Sequence, residues 1–115
     1  MLLFETDTNS MAYNKYKNKP TVIDGIRFDS QKEGLRYNHL KLLVRAGEIT
    51  NLELQPKYKL TVNGKNCGFY KGDFRYTENG LTILEDVKSP ATKTAVYNLK
   101  KKLVKAIYDV DIQEV

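Results

Sequence analysis

Between Gly72 and Lys88 the chain places two carboxylates and an amine in short apolar runs. Gly72-Asp73-Phe74-Arg75-Tyr76-Thr77 is followed by Glu78-Asn79-Gly80 and then Leu81-Thr82-Ile83-Leu84-Glu85-Asp86-Val87-Lys88. An Asn-Gly pair between two β-rich runs predicts a hairpin. Side chains alternate along a strand, so Asp86 and Lys88 should share a face, and the hairpin can bring Asp73 onto it. Two acids and an amine converging at a sheet's edge are the minimum needed to hold Mg²⁺ and steer a water at a phosphodiester. Asp is disfavoured inside strands, and a hard cation would offset the repulsion between two such acids. The plainer reading, ordinary surface acids near turns, stays open.

Lys88 would orient the attacking water or neutralise charge building at phosphorus; its plainer reading is surface charge. Glu85 should face the other way, with Ile83 and Val87, and is the weaker candidate. Glu33 has two readings. In Ser30-x-x-Glu33 it closes a capping box, and at helical spacing with Tyr37, Leu40 and Val44 it would aim at the sheet. Gln55, before Pro56, is a turn residue that can approach the acids. From Lys88 to Ile107 the chain carries Lys88, Lys93, Lys100, Lys101, Lys102 and Lys105 and no acid. Lys93, Lys100, Lys101 and Lys105 are expected to contact phosphates, or else to solvate a helix face. Lys15 and Lys17, interleaved with Tyr13 and Tyr16, extend the basic set.

The elements that must position these groups follow from turn and capping signals. Val22 to Phe28 reads as a hairpin around Asp24-Gly25. Ser30 opens a helix whose apolar spacing is Leu35, His39, Leu42, Leu43 and Ala46, and Gly47 stops it. Ile49 to Leu54 and Tyr58 to Val62 are strand-like, and Asn63-Gly64 turns the chain. Phe69 to Thr77 and Leu81 to Lys88 form the central hairpin. Thr92 to Ile107 reads as an amphipathic helix on Val96, Leu99, Leu103 and Ile107, and Val110 to Val115 as a last strand. The order ββ-α-ββ-ββ-α-β predicts an α/β (α+β) fold with a mixed sheet.

At 115 residues with net charge +5, the chain is expected to be one domain, residues 21–115, behind a flexible basic arm, residues 1–20. Met11 is a possible alternative start. Positive charge favours polyanionic partners. Cys67 and His39 are each the sole residue of their type, which argues against disulfide frameworks, Cys- or His-based metal sites and Ser-His-Asp chemistry. With no membrane-length apolar run and no signal-peptide pattern, an intracellular protein is expected.

Glu33 on an early helix, Asp73 on a strand and Asp86-Val87-Lys88 on the next resemble the PD-(D/E)xK nuclease superfamily. Its pattern is a helical Glu, a strand Asp, then Glu or Asp, any residue, and Lys. The wording is closer still to a family of small phage proteins placed in that superfamily. The residues that carry it are Lys15-Tyr16-Lys17-Asn18-Lys19, Asp24-Gly25-Ile26-Arg27-Phe28-Asp29-Ser30, Lys32-Glu33, Leu54-Gln55-Pro56-Lys57, Asp73-Phe74 and Glu85-Asp86-Val87-Lys88. The resemblance spans about residues 13–115 and departs from the pattern at Gly72, where Pro often stands.

The resemblance implies a restriction-endonuclease-like core and Mg²⁺- or Mn²⁺-dependent DNA cleavage. The substrate class it implies is branched or Holliday-junction DNA in phage recombination or replication, and the enzyme a homodimer inside the host cell. Asp73 and Asp86 would hold the ion, with the Val87 carbonyl as a further ligand and Glu33 on a second ion or a water. Two other readings remain: a non-catalytic nucleic-acid-binding module of the same fold, and a phage interaction protein.

Overall fold

The computed structural model describes residues 19–115. The basic arm with Lys15 and Lys17, and the start at Met11, lie outside the described residues. The chain divides after Gly34 into two compact units, Met1–Gly34 and Leu35–Val115.

In the first unit, β1 (Thr21–Ile23) and β2 (Ile26–Phe28) pair antiparallel. Helix α1 (Gln31–Arg45) begins here and runs on into the second unit. The Ser30 Oγ accepts the Glu33 N–H at 3.1 Å, which forms the N-cap half of the expected capping box. Gly34 lets the hairpin approach the helix. A Cβ there would stand 2.7 Å from Thr21 Cγ2 and 3.0 Å from Ile23 Cδ1.

In the second unit α1 ends as the Gly47 signal predicted. The Glu48 N–H reaches the Leu43 carbonyl at 2.9 Å and the Gly47 N–H reaches Val44 at 3.0 Å, the paired bonds of a Schellman motif. The buried residues of this stretch are Tyr37 and Leu40, while Leu35 and Leu42 are exposed. The expected Leu35/Leu42 stripe is therefore a correction: the helix is turned so that Arg36 and Tyr37 go inward.

The remaining strands are β3 (Thr50–Leu54), β4 (Lys57–Val62), β5 (Lys65–Lys71), β6 (Phe74–Glu78), β7 (Leu81–Asp86) and β8 (Ile112–Glu114). They form a four-stranded sheet of order β3-β6-β7-β8 and a separate β4-β5 ribbon. The β3-β6 and β6-β7 pairs are antiparallel, and β7-β8 is parallel. The expected mixed-sheet α/β fold is thus the observed one. Asn79-Gly80 makes the predicted tight turn, with φ of 52° and 77°.

Helix α2 (Ala95–Tyr108) follows a short 3₁₀ turn at Pro90–Thr92, so it starts later than the expected Thr92. Thr94 is its N-cap, accepting the Tyr97 N–H at 3.1 Å. Its buried residues are Tyr97 and Val104, whereas Val96 and Leu99 are exposed. The expected stripe is displaced by one residue because Tyr97 turns into the core. That core gathers Tyr58, Leu60, Tyr70, Leu84, Tyr97, Val104 and Ile112 from the ribbon, the sheet and α2.

The expected single strand Phe69–Thr77 is broken at Gly72-Asp73. Upstream, β5 pairs with β4; downstream, β6 pairs with β3 and β7. The Gly72 N–H donates to the Pro56 carbonyl and the Asp73 carbonyl accepts the Gln55 N–H, both at 2.9 Å. Proline at 72 would delete the first bond, and any Cβ there would lie 2.8 Å from Leu84 Cδ1. Leu84 is fully buried and has little room to yield. Gly72→Ala should therefore cost about 1–3 kcal/mol in urea unfolding with an unchanged m-value. An unchanged midpoint would contradict the close packing.

Candidate functional site

Strand alternation divides the end of β7 between two faces. Leu84, Asp86 and their parallel partners Ile112 and Glu114 point one way; Glu85, paired with Phe74 and Gln113, points the other. Both consecutive acids are buried, Glu85 at 1% and Asp86 at 5% exposure. Each must be compensated on its own side.

Glu85 is compensated by a salt bridge. Arg36 Nε donates to Oε1 at 2.8 Å and Nη2 to Oε2 at 2.5 Å, and the Tyr76 hydroxyl also donates to Oε2. The pairing raises the Arg36 pKa above its ordinary value, chiefly through the hydrogen bond to Glu85. Burial first, then the bond to Glu85, raises the Tyr76 phenol. Glu85 thereby ties α1 to the sheet, a structural role.

On the other face, Asp86 Oδ2 accepts the Tyr70 hydroxyl, and Lys88 Nζ lies 3.5 Å from Oδ1. The Lys88 ammonium also stands 4.0 Å from the centre of the Tyr97 ring. Asp73 joins through the backbone: its Oδ2 accepts the Val87 N–H at 2.7 Å, and its own N–H donates to the Glu85 carbonyl at 3.0 Å. Burial is the first cause raising the Tyr70 and Tyr97 phenols, and the negative charges of Asp73 and Asp86 act on both. Asp73, Asp86, Lys88, Tyr70 and Tyr97 therefore share one electrostatic neighbourhood.

Of the three groups expected to converge, Lys88 and Asp86 stand 3.5 Å apart and Asp73 reaches the amide of Val87 between them, and two expectations are corrected. Asp73 lies in the break between β5 and β6, where its carboxylate can turn onto a neighbouring amide, and not within a strand. The cluster sits at the end of the interior strand β7, and not at a sheet edge, because β8 adds alongside. The Lys88 N–H donates to the Val115 carbonyl and the Val115 N–H to the Asp86 carbonyl, both at 3.1 Å.

Gln55 is an exposed turn residue at φ 52°, and its backbone N–H holds the Asp73 carbonyl. Glu33 lies in the first unit as a buried first-turn residue of α1. On α2 and the segment before it, acids that follow the helix meet the lysines. Lys93 and Lys101 reach Glu114 at 3.1 and 3.0 Å, and Lys105 reaches Asp109 and Asp111 at 3.0 and 3.1 Å. Lys100 instead reaches towards the Phe69 ring, 5.7 Å from its centre.

Three residues of this neighbourhood escape a sequence reading: Tyr70, Tyr97 and Glu114. Tyr70 and Tyr97 read as apolar-run and helix residues, and Glu114 enters only through the parallel register Asp86↔Glu114.

Among the described residues no three or more His, Cys, Asp or Glu side chains stand together as a metal cage. Mg²⁺ does not require one, since it binds through one or two carboxylates and completes its shell with water and substrate phosphate. Asp73 and Asp86 fit that donor set. Among the described residues no helix is long and apolar enough to cross a membrane.

A mixed-sheet α/β domain with two aspartates and a lysine around the end of an interior strand is the class that fold and site define. Within it, the chain belongs to the family described as "Protein of unknown function (DUF1064)", which it matches over residues 13–114. No curated protein matches the chain, and no solved structure does.

Two expectations follow from the paired acids. Glu85→Gln leaves the Arg36 charge without its partner and should lower unfolding free energy by about 3 kcal/mol or more; a loss below about 1 kcal/mol would contradict the structural role. Glu114 is held down to about 2 from its ordinary 4.5, first by the Tyr97 hydroxyl and then by Lys101 and Lys93. A depressed carboxylate stabilises the fold above its unfolded pKa, and that contribution fades as pH falls through the folded one. Stability should therefore drop between about pH 4.5 and about pH 2, and Glu114→Gln should flatten that slope. An unaltered slope would refute the assignment.

Proposed function

We propose that the protein is a metal-dependent endonuclease that hydrolyses phosphodiester bonds in DNA, with branched or junction DNA as its substrate class. The observation that carries this reading is the Lys88 ammonium 3.5 Å from Asp86 Oδ1, beside an Asp73 carboxylate fixed to the next backbone amide. Asp73 and Asp86 would hold Mg²⁺ or Mn²⁺, with the Val87 carbonyl as a further ligand. The bound ion would supply Lewis acidity at the scissile phosphate.

The chain's own groups have separate tasks. Lys88 donates hydrogen bonds to the attacking water and offsets charge growing on the phosphate oxygens. The Tyr97 ring keeps the ammonium over the site, and the Tyr70 hydroxyl fixes the Asp86 carboxylate in one orientation. The resemblance to the PD-(D/E)xK pattern supports the same roles. It also suggests a homodimer at work inside a phage-bearing cell.

The test is cleavage of labelled four-way-junction, flap and linear duplex DNA with Mg²⁺ or Mn²⁺. Wild type should cut a branched substrate, whereas Asp86→Ala and Lys88→Ala should lose at least about a hundredfold in rate while remaining folded and able to bind. Normal turnover by Asp86→Ala would overturn the site. Binding by all three proteins without cutting would leave a non-catalytic nucleic-acid-binding module.

A further inference from the structure

The β4-β5 ribbon has an inner and an outer face. Tyr58, Leu60 and Tyr70 are buried inside, while Lys57, Lys59, Phe69 and Lys71 are exposed on the other side. Lys57 lies directly opposite Lys71, and Lys59 opposite Phe69. Like charges facing each other across a strand pair are destabilising, and no acid occurs from Lys57 to Gly72 to relieve them. Phe69 is 46% exposed, with the Lys57 ammonium 4.7 Å and the Lys100 ammonium 5.7 Å from its ring centre. Among the described residues no acid pairs with Lys57, Lys59 or Lys71, unlike Lys93, Lys101 and Lys105.

We propose that this outer face docks single-stranded nucleic acid, with a base stacked on Phe69 and flanking phosphates against Lys57, Lys59, Lys71 and Lys100. The lysines alone would suit any polyanion. The half-exposed aromatic ring among them, held only by mobile lysine side chains, selects a strand whose bases are unpaired, because a duplex keeps its bases inside. The surface is distinct from the Asp86 cluster: Tyr70 turns inward to Asp86, while its neighbour Phe69 turns outward. Lys71 leads through Gly72 into Asp73, so a docked strand would run towards the proposed cleavage site. The inference deepens that reading in its substrate, but binding does not require turnover.

The test is fluorescence anisotropy in EDTA with full-length protein. The probes are labelled oligothymidylate, oligouridylate and an abasic backbone of equal length. Wild type should bind a base-bearing strand about tenfold more tightly than the abasic one. Phe69→Ala should lose that preference, Phe69→Trp should keep it, and both should melt like wild type. Lys57→Gln and Lys71→Gln should weaken every probe, each lowering the salt slope by about 0.7. The thymidylate and uridylate arms tell DNA from RNA, and tighter binding of either supports the surface. Binding is read in EDTA, where no metal-dependent cleavage occurs, so a failed nuclease reading leaves this result intact. Equal binding of base-bearing and abasic strands by wild type, or full preference in Phe69→Ala, would overturn the proposal.

Discussion

Two consecutive buried carboxylates, Glu85 and Asp86, constrain the rest of this structure. A strand sends them to opposite faces, and neither face offers water to solvate them. On one side the answer is Arg36 with Tyr76, which fixes α1 to the sheet. On the other it is Tyr70 and Lys88, with Tyr97 beneath the ammonium. The first set saturates its acid with a bidentate cation; the second sets a single ammonium beside a second acid, Asp73. That asymmetry separates a structural carboxylate from one suited to chemistry.

Much of this was legible in the sequence, for local reasons. Asn79-Gly80 fixed the β6-β7 turn, and Ser30 and Gly47 marked the ends of α1. The period of two put Asp86 and Lys88 on one face and Glu85 on the other. The legible signals all act within a few residues.

What escaped depends on distant pairing. The break at Gly72-Asp73 exists because the chain changes partners there, from β4 to β3 and β7, and within Phe69–Thr77 only the glycine marks the place. The buried face of α2 was misplaced, and on α1 the Tyr37/Leu40 face prevailed over the Leu35/Leu42 stripe, because apolar content does not say which stripe meets the core. Tyr37 and Tyr97 turned inward, while Leu35, Leu42, Val96 and Leu99 stayed outside. The acid-free run of lysines looked like an open phosphate grip, yet Glu114 returns along β8 to Lys93 and Lys101, and Asp109 and Asp111 just past the helix pair with Lys105. On the β4-β5 ribbon Lys57, Lys59 and Lys71 have no acid paired with them among the described residues, and that follows from the cross-strand register and not from local spacing.

The central claim is that Asp73 and Asp86 form one cation site, with Lys88 beside it. Titrating Mn²⁺ into the folded protein, followed by the loss of its free-ion electron paramagnetic resonance signal, tests this without any nucleic acid. The account predicts binding by wild type that is lost in both Asp73→Asn and Asp86→Asn and retained in Glu85→Gln. Equal Mn²⁺ uptake by wild type and the two aspartate variants would contradict it.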